Sequence, residues 1–208
     1  MNLIMGGRDA GAAIDSKAEE TDMKKTENTY TIVMTAMMTC LILLTTYTFK
    51  IPTPFQGYVH LGDAMIFLSV LAAGKKHGAF AAGVGSSMAD LLGGYVAFAP
   101  WTLVIKALMA FIMGIFIEAV TKKEKKMLKL AGVPLIEIIG MIMAGLVMVL
   151  GYGVADAVLA GNLWAGVMSM PSNCGQFAAG VVIASILAAA LYKTPAKRYF
   201  TYRLDEVK

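Results

Sequence analysis

Charge is scarce in this chain, and so are cysteine, proline and the usual phosphate-binding signatures. Asp, Glu, Lys and Arg make up only 15% of the 208 residues, against about 25% in soluble domains, while 58% are hydrophobic. A soluble fold with a polar shell is thereby excluded. The cysteines are two, Cys40 within an apolar segment and Cys174 at the edge of another. Their expected depths differ, which excludes a disulfide framework, and no pair has metal-ligand spacing. No G-x-x-x-x-G-K-[ST] loop occurs, so the chain carries no ATPase site of that kind. Residues 1–28 lack the apolar core of a signal peptide and read as a disordered cytoplasmic leader or an appended segment, with Met23-Lys24-Lys25 a plausible natural start.

What is present is a series of apolar segments, about 30–49, 61–74, 78–94, 100–120, 133–155 and 174–192. A full helical span needs roughly 20 such residues, so the second and third are short. The segments lack the alternation of barrel strands, and backbone groups in lipid need internal partners, so helices are expected. Threading six crossings through the membrane leaves all but two of the 18 Lys and Arg residues, Lys50 and Lys106, on one side. Short cytoplasmic loops accumulate such residues. The expected fold is therefore an all-α integral membrane protein with six transmembrane helices over 29–192, both termini cytoplasmic, and a basic tail over 193–208. The net charge of +4 comes from the inner loops, and nucleic-acid binding does not follow from it.

The outer side then collects the loops 49–62, 93–100 and 156–173. These hold Tyr58, Tyr95, Phe98, Trp101 and Trp164, with Gln56, His60, Asn162, Asn173 and Gln176 in or beside them. Rings supply stacking area and amides or imidazole supply direction, as a small-molecule pocket requires. An interfacial aromatic belt is the competing reading. Asp63, Asp90, Lys106 and Asp156 fall in the outer half of apolar segments, where an ionisable group costs roughly 2.5–3.5 kcal/mol near a helix centre. Lys106 is expected to pair with Asp90 or to meet a ligand, and Asp63 to cap the second helix. Glu118 and Glu137 are expected to snorkel toward the Lys122–Lys129 cluster.

Small residues form a second pattern. Gly78, Ala82 and Ser86 lie beside Ala79, Gly83 and Ser87 on the third segment, and Thr35, Ala36, Thr39 and Cys40 line the first. Such stripes let helices approach closely, within one chain or against a partner. Met34, Met37 and Met38 add adaptable bulk there.

The run Pro54-Phe55-Gln56-Gly57-Tyr58-Val59-His60-Leu61-Gly62-Asp63-Ala64, then Gly85-Ser86-Ser87-Met88-Ala89-Asp90-Leu91-Leu92-Gly93-Gly94-Tyr95, then Ala99-Pro100-Trp101-Thr102-Leu103-Val104-Ile105-Lys106, resembles the substrate-binding S components of energy-coupling factor (ECF) vitamin transporters, riboflavin-type broad group. The resemblance covers nearly all of 29–192. It implies a subunit of the prokaryotic plasma membrane that captures a vitamin outside and topples to release it inward. Its partners would be a transmembrane coupling subunit and two cytoplasmic ATPases, which use the ATP and Mg; no cofactor or metal is expected in this chain. Members often dock through Ala-x-x-x-Ala on the first helix, and here Ala36-x-x-x-Cys40 is the nearest match.

The expected ligand contacts are Gln56, Tyr58, His60, Asp90, Tyr95, Trp101, Lys106, Asn173 and Gln176, with Thr35, Ala36, Thr39 and Cys40 toward the coupling subunit. A pyridine or pyrimidine vitamin, pyridoxine or hydroxymethylpyrimidine, is preferred, and riboflavin and pantothenate stay open. An intramembrane enzyme built on His60 and Asp63 would lack a complete catalytic or metal constellation. A self-sufficient ion-coupled carrier would call for internal repeats, and none is visible.

Overall fold

The computed structural model describes residues 5–52, 58–122, 128–202 and 204. The chain divides into two compact units, Met1–Met34 and Thr35–Lys208. The first holds the N-terminal stretch of helix α1 (Met5–Thr48), helical in backbone upstream of residue 29 as well. The second holds the rest: strands β1 (Lys50–Pro52) and β2 (Tyr58–His60), helix α2 (Gly62–Leu92), α3 (Ala99–Thr121), strands β3 (Lys129–Leu130) and β4 (Val133–Pro134), then α4 (Leu135–Ala160), α5 (Leu163–Tyr192) and a closing 3-10 turn (Pro195–Tyr199). Four helical stretches, Thr26–Thr48, Ala99–Thr121, Leu135–Ala160 and Leu163–Tyr192, are long and apolar enough to cross a membrane.

Helix α2 covers both short apolar segments, and it is broken. Gly74 stands at φ 76° and ψ 176°, a conformation essentially reserved for glycine. The chain doubles back there. A Cβ at Gly78 would lie 2.9 Å from Val70 Cα, whereas eight residues along a straight helix are separated by about 12 Å. The connection between the two halves is thus the single residue Gly74, and Lys75-Lys76-His77, expected as a loop, begin the second half. The small residues foreseen at 78–87 serve this packing: Gly83 lies against the Leu103 carbonyl of α3, and Gly85 against the Thr39 carbonyl and Ile42 of α1.

In the second unit α3 packs between α2 and α4, and α5 packs between α4 and α2, closing a ring of helices. Its interior includes the fully buried Phe67, Met109, Met113, Met141 and Met148. Its exterior is apolar too. Leu146, Leu150, Val154 and Val158 recur every fourth residue along α4 and are exposed, as are Val104 and Leu108 on α3 and Val182 and Ile186 on α5. Buried ionisable groups inside and apolar stripes outside invert a soluble protein's surface, and lipid is the solvent that fits it.

The long loop expected over 156–173 is replaced by helix. α4 ends at Gly161, in the left-handed conformation at φ 63°, and α5 begins directly after Asn162, whose side chain accepts the Trp164 N–H at 2.9 Å. Pro171 lies inside α5. The polar residues of 156–173 had suggested a loop, but a Gly-Asn pair supplies both the C-cap and the N-cap, so two residues suffice.

The carbonyls freed at the Gly74 break are met by the chain's own tail. Thr201 N–H donates to the Leu71 carbonyl (2.9 Å) and Thr201 Oγ1 to that of Ala72 (2.8 Å). Tyr202 accepts the Lys75 N–H at its hydroxyl (3.2 Å) and donates to Glu118 Oε1 (2.9 Å), whose other oxygen pairs with Lys75 Nζ at 2.5 Å. Glu118 therefore finds its lysine on α2, not in the 122–129 cluster. Phe200 and Leu204 are buried, and Phe200 meets Tyr192 edge-on. Glu137 does not snorkel: it is fully buried and accepts the Tyr192 hydroxyl. Tyr202→Phe removes a hydroxyl bonded to an ionised partner and is expected to lower stability by about 1.5 kcal/mol, the low end of such bonds because the site is partly open to solvent. Tyr199→Phe, at an exposed ring, should change it by less than about 0.5 kcal/mol. Thermal unfolding in detergent compares the two.

Candidate functional site

The end of α1, the β1–β2 hairpin and the face of α5 enclose a cavity of about 550 Å³. Thr48, Phe49, Lys50 and Ile51 form one wall, His60 and Leu61 a second, and Ser172, Gly175, Gln176 and Ala179 a third. The hairpin register sets Lys50 opposite His60 and Ile51 opposite Val59. On α5 the lining positions follow i, i+3, i+4 and i+7, one helical face made of small and polar side chains.

Behind this wall lies a buried polar chain. Gln176 Oε1 accepts the His60 backbone N–H at 3.1 Å, and Gln176 Nε2 donates to Asp63 Oδ2 at 2.9 Å. The other Asp63 oxygen, Oδ1, is 2.5 Å from Lys106 Nζ, and both side chains are 0% exposed. Lys106 also contacts Met148 Sδ at 3.0 Å and lies 5.3 Å from the centre of the Tyr152 ring, whose hydroxyl donates to Thr102 Oγ1 at 3.0 Å. Gly180, one turn beyond Gln176, makes the approach possible, since a Cβ there would come 2.9 Å from Asp63 Cβ.

His60 Nδ1 accepts the Gly62 N–H at 3.0 Å. Burial, reinforced by the Lys106 charge and opposed by Asp63, pushes the imidazole down to about 3. It is neutral at pH 7, with its proton on Nε2 because Nδ1 is accepting.

Two expectations about charge are corrected here. Lys106 pairs with Asp63 rather than Asp90, and Asp63 is an ion-pair partner rather than a cap; at the start of α2 it is His60 Nδ1 that accepts the Gly62 N–H. Lys106 reaches the start of α2, where Asp63 stands, and Met148 on α4. Asp90 interacts instead with Lys50, whose ammonium donates to the Ala89 carbonyl at 3.3 Å and lies 4.6 Å and 5.6 Å from the rings of Tyr47 and Tyr95. Burial lowers the Lys50 pKa, and Asp90 opposes that shift.

Of the residues expected to contact a ligand, the structure brings His60 and Gln176 to the cavity wall. Asp90, Tyr95, Trp101, Lys106 and Asn173 are not among the described lining residues. Tyr58 is in β2, where only its backbone is described, and Gln56 lies outside the described residues. Lys50, Ser172 and Ala179 were missed; the 172–179 periodicity carried that signal, split by the boundary expected between the loop 156–173 and the apolar segment 174–192. On α1, Thr35 is buried and Thr39 is half-buried with its hydroxyl on the Thr35 carbonyl, whereas Ala36 and Cys40 are exposed.

The arrangement is that of a membrane-embedded helical binder of small molecules. The family described as ECF-type riboflavin transporter, S component, matches residues 26–193, and the chain belongs to it. It is a multi-pass protein of the cell membrane, and its family is one of substrate-binding transporter subunits. It is also similar to a Pyrococcus woesei protein described as an uncharacterized protein in the gap 3′ region, 36% identical over 153 residues, which cover 73% of this chain and 95% of that one.

Removing one member of a buried ion pair strands the other, at about 3–5 kcal/mol. Lys106→Met is therefore expected to lower unfolding stability by that amount, and adding Asp63→Asn should recover most of it. Adding Asp90→Asn instead should recover little, which thermal unfolding of the three variants measures directly.

Proposed function

We propose that this chain captures a water-soluble vitamin or vitamin precursor at the outer face of the membrane and hands it inward with a coupling subunit and two ATPases. The observation that carries the reading is the cavity itself. It lies within the roughly 300–1,000 Å³ usual for small-molecule sites, and its apolar walls carry few polar groups, as such sites do. Phe49, Ile51, Leu61 and Ala179 offer apolar contact, while His60, Gln176 and Ser172 offer direction.

Few polar groups suit a ligand with a single small heteroaromatic ring, so pyridoxine or hydroxymethylpyrimidine is the preferred ligand. Riboflavin is the second reading, favoured by the description of the matching family and not opposed by the cavity's volume. Expected contacts beyond the described lining are Gln56, Tyr58, Asp90, Tyr95, Trp101 and Asn173, whereas Lys106, sealed against Asp63, would act from behind the wall.

The chain would cross the membrane six times, α2 crossing on each side of its break, with both termini cytoplasmic. The charge bias supports this, because Lys75 and Lys76 then join the other inner lysines. The exposed Ala36 and Cys40, among other exposed α1 residues such as Met37 and Leu44, would face the coupling subunit, with Thr35 and Thr39 behind them. ATP and Mg would be used by the ATPases, and this chain would perform no catalysis.

Calorimetry of the detergent-purified protein with pyridoxine, hydroxymethylpyrimidine, riboflavin and pantothenate should give one tight binder without ATP; binding of none by folded protein would defeat the reading. Cysteine placed at Lys76 should react with an impermeant reagent only after the membrane is opened, whereas cysteine at Asn162 should react from outside, each in a background lacking Cys40 and Cys174.

A further inference from the structure

The Lys106–Asp63 pair is shut away from the cavity, yet through Asp63 it is bonded to Gln176, which lines the cavity and holds the backbone of His60 beside it. Gln176 stands between the pair and His60. A primary amide has one donating and one accepting end of nearly the same shape, so its orientation is fixed only by what it faces. An ionised carboxylate accepts and cannot donate. Asp63 Oδ2 therefore takes the NH2 end of Gln176 at 2.9 Å, which turns Oε1 toward the His60 N–H at 3.1 Å. With Asp63 and Lys106 both 0% exposed, that carboxylate keeps its charge only because the ammonium lies 2.5 Å away.

We propose that Lys106 and Asp63 are positioning residues: by fixing the Gln176 amide they pin β2 to α5 and so set the polar face that the cavity presents. This rests, for its bearing on ligand binding, on the cavity being the vitamin site. The pinning itself does not. The chain of causes runs from Lys106 on α3, through Asp63 on α2 and Gln176 on α5, to the backbone of β2 at His60. Gly180 lets α5 come close enough for Gln176 to reach Asp63. His60 is further held by the Gly62 N–H on its Nδ1 at 3.0 Å, so ring and backbone move together. A neutral residue at 63 can face either end of the amide, and the His60 N–H is then left alone to hold the orientation.

The test uses the full chain in detergent with Lys106→Met/Asp63→Asn, a neutral pair of similar volume that strands no charge. Hydrogen exchange of residues 58–62 reports the pin, with 105–115 of α3 as the internal reference. The expected result is at least tenfold faster exchange at 58–62, unchanged exchange at 105–115, and at least tenfold weaker binding of whichever of pyridoxine, hydroxymethylpyrimidine or riboflavin the unsubstituted protein binds. Wild-type protection at 58–62 in the folded variant overturns the proposal, and so does faster exchange with unchanged affinity. If the unsubstituted protein binds none of the three, the vitamin reading fails, and exchange still decides the pin. Should the double variant not fold, Gln176→Leu, which removes the amide and leaves the ion pair, must give the same faster exchange at 58–62; protection there overturns the proposal.

Discussion

An ammonium and a carboxylate sealed together among apolar helices form the constraint on which this architecture depends. Each ion alone would be costly in lipid, and the pair is tolerable only because Lys106 and Asp63 meet directly and the second carboxylate oxygen has its own donor in Gln176. Those three residues belong to α3, α2 and α5, so one electrostatic requirement fixes the relative placement of three helices. Dispersion between methionines and leucines would permit many registers. The ion pair selects among them, as buried polar groups do in the best-attested cases.

The same logic governs the Gly74 break. Interrupting a helix frees backbone groups, and in a membrane those groups have no water to turn to. Here the tail closes the gap: Thr201 meets the Leu71 and Ala72 carbonyls, and Tyr202 ties Lys75 to Glu118. The break allows two short segments to lie side by side, which places Asp63 at the start of one half and the small residues facing α1 and α3 on the other. A continuous helix of 31 residues would extend for about 46 Å and could not bring Gly78 onto Val70.

Function then follows from asymmetry between the ends of the second unit. One end is stitched by the tail. The other carries the hairpin and the cavity, held by a few bonds from α5 and by Lys50 reaching the Ala89 carbonyl. A wall of this kind is set by side-chain bonds rather than by a continuous sheet, so on the proposed reading residues that no ligand touches would govern it.

Much of this was legible in the chain alone, because the bilayer imposes rules that act residue by residue. Low charge and long apolar runs determined a helical membrane protein, and the three motifs from Pro54 to Lys106 pointed to the family that also matches residues 26–193. His60 and Gln176 stood out as polar groups beside apolar segments. Partnership was another matter. Lys106 was expected to meet Asp90 or a ligand, and only the packing of α2 against α3 brought it to Asp63, 43 positions away. The helical run through Pro171 was likewise hidden, since a loop and a helix of mixed polarity look alike until the caps at Gly161 and Asn162 are seen in place. Solvent preference is a property of single residues summed along the chain; the direction a side chain points, and hence what it pairs with, is a property of how the helices pack.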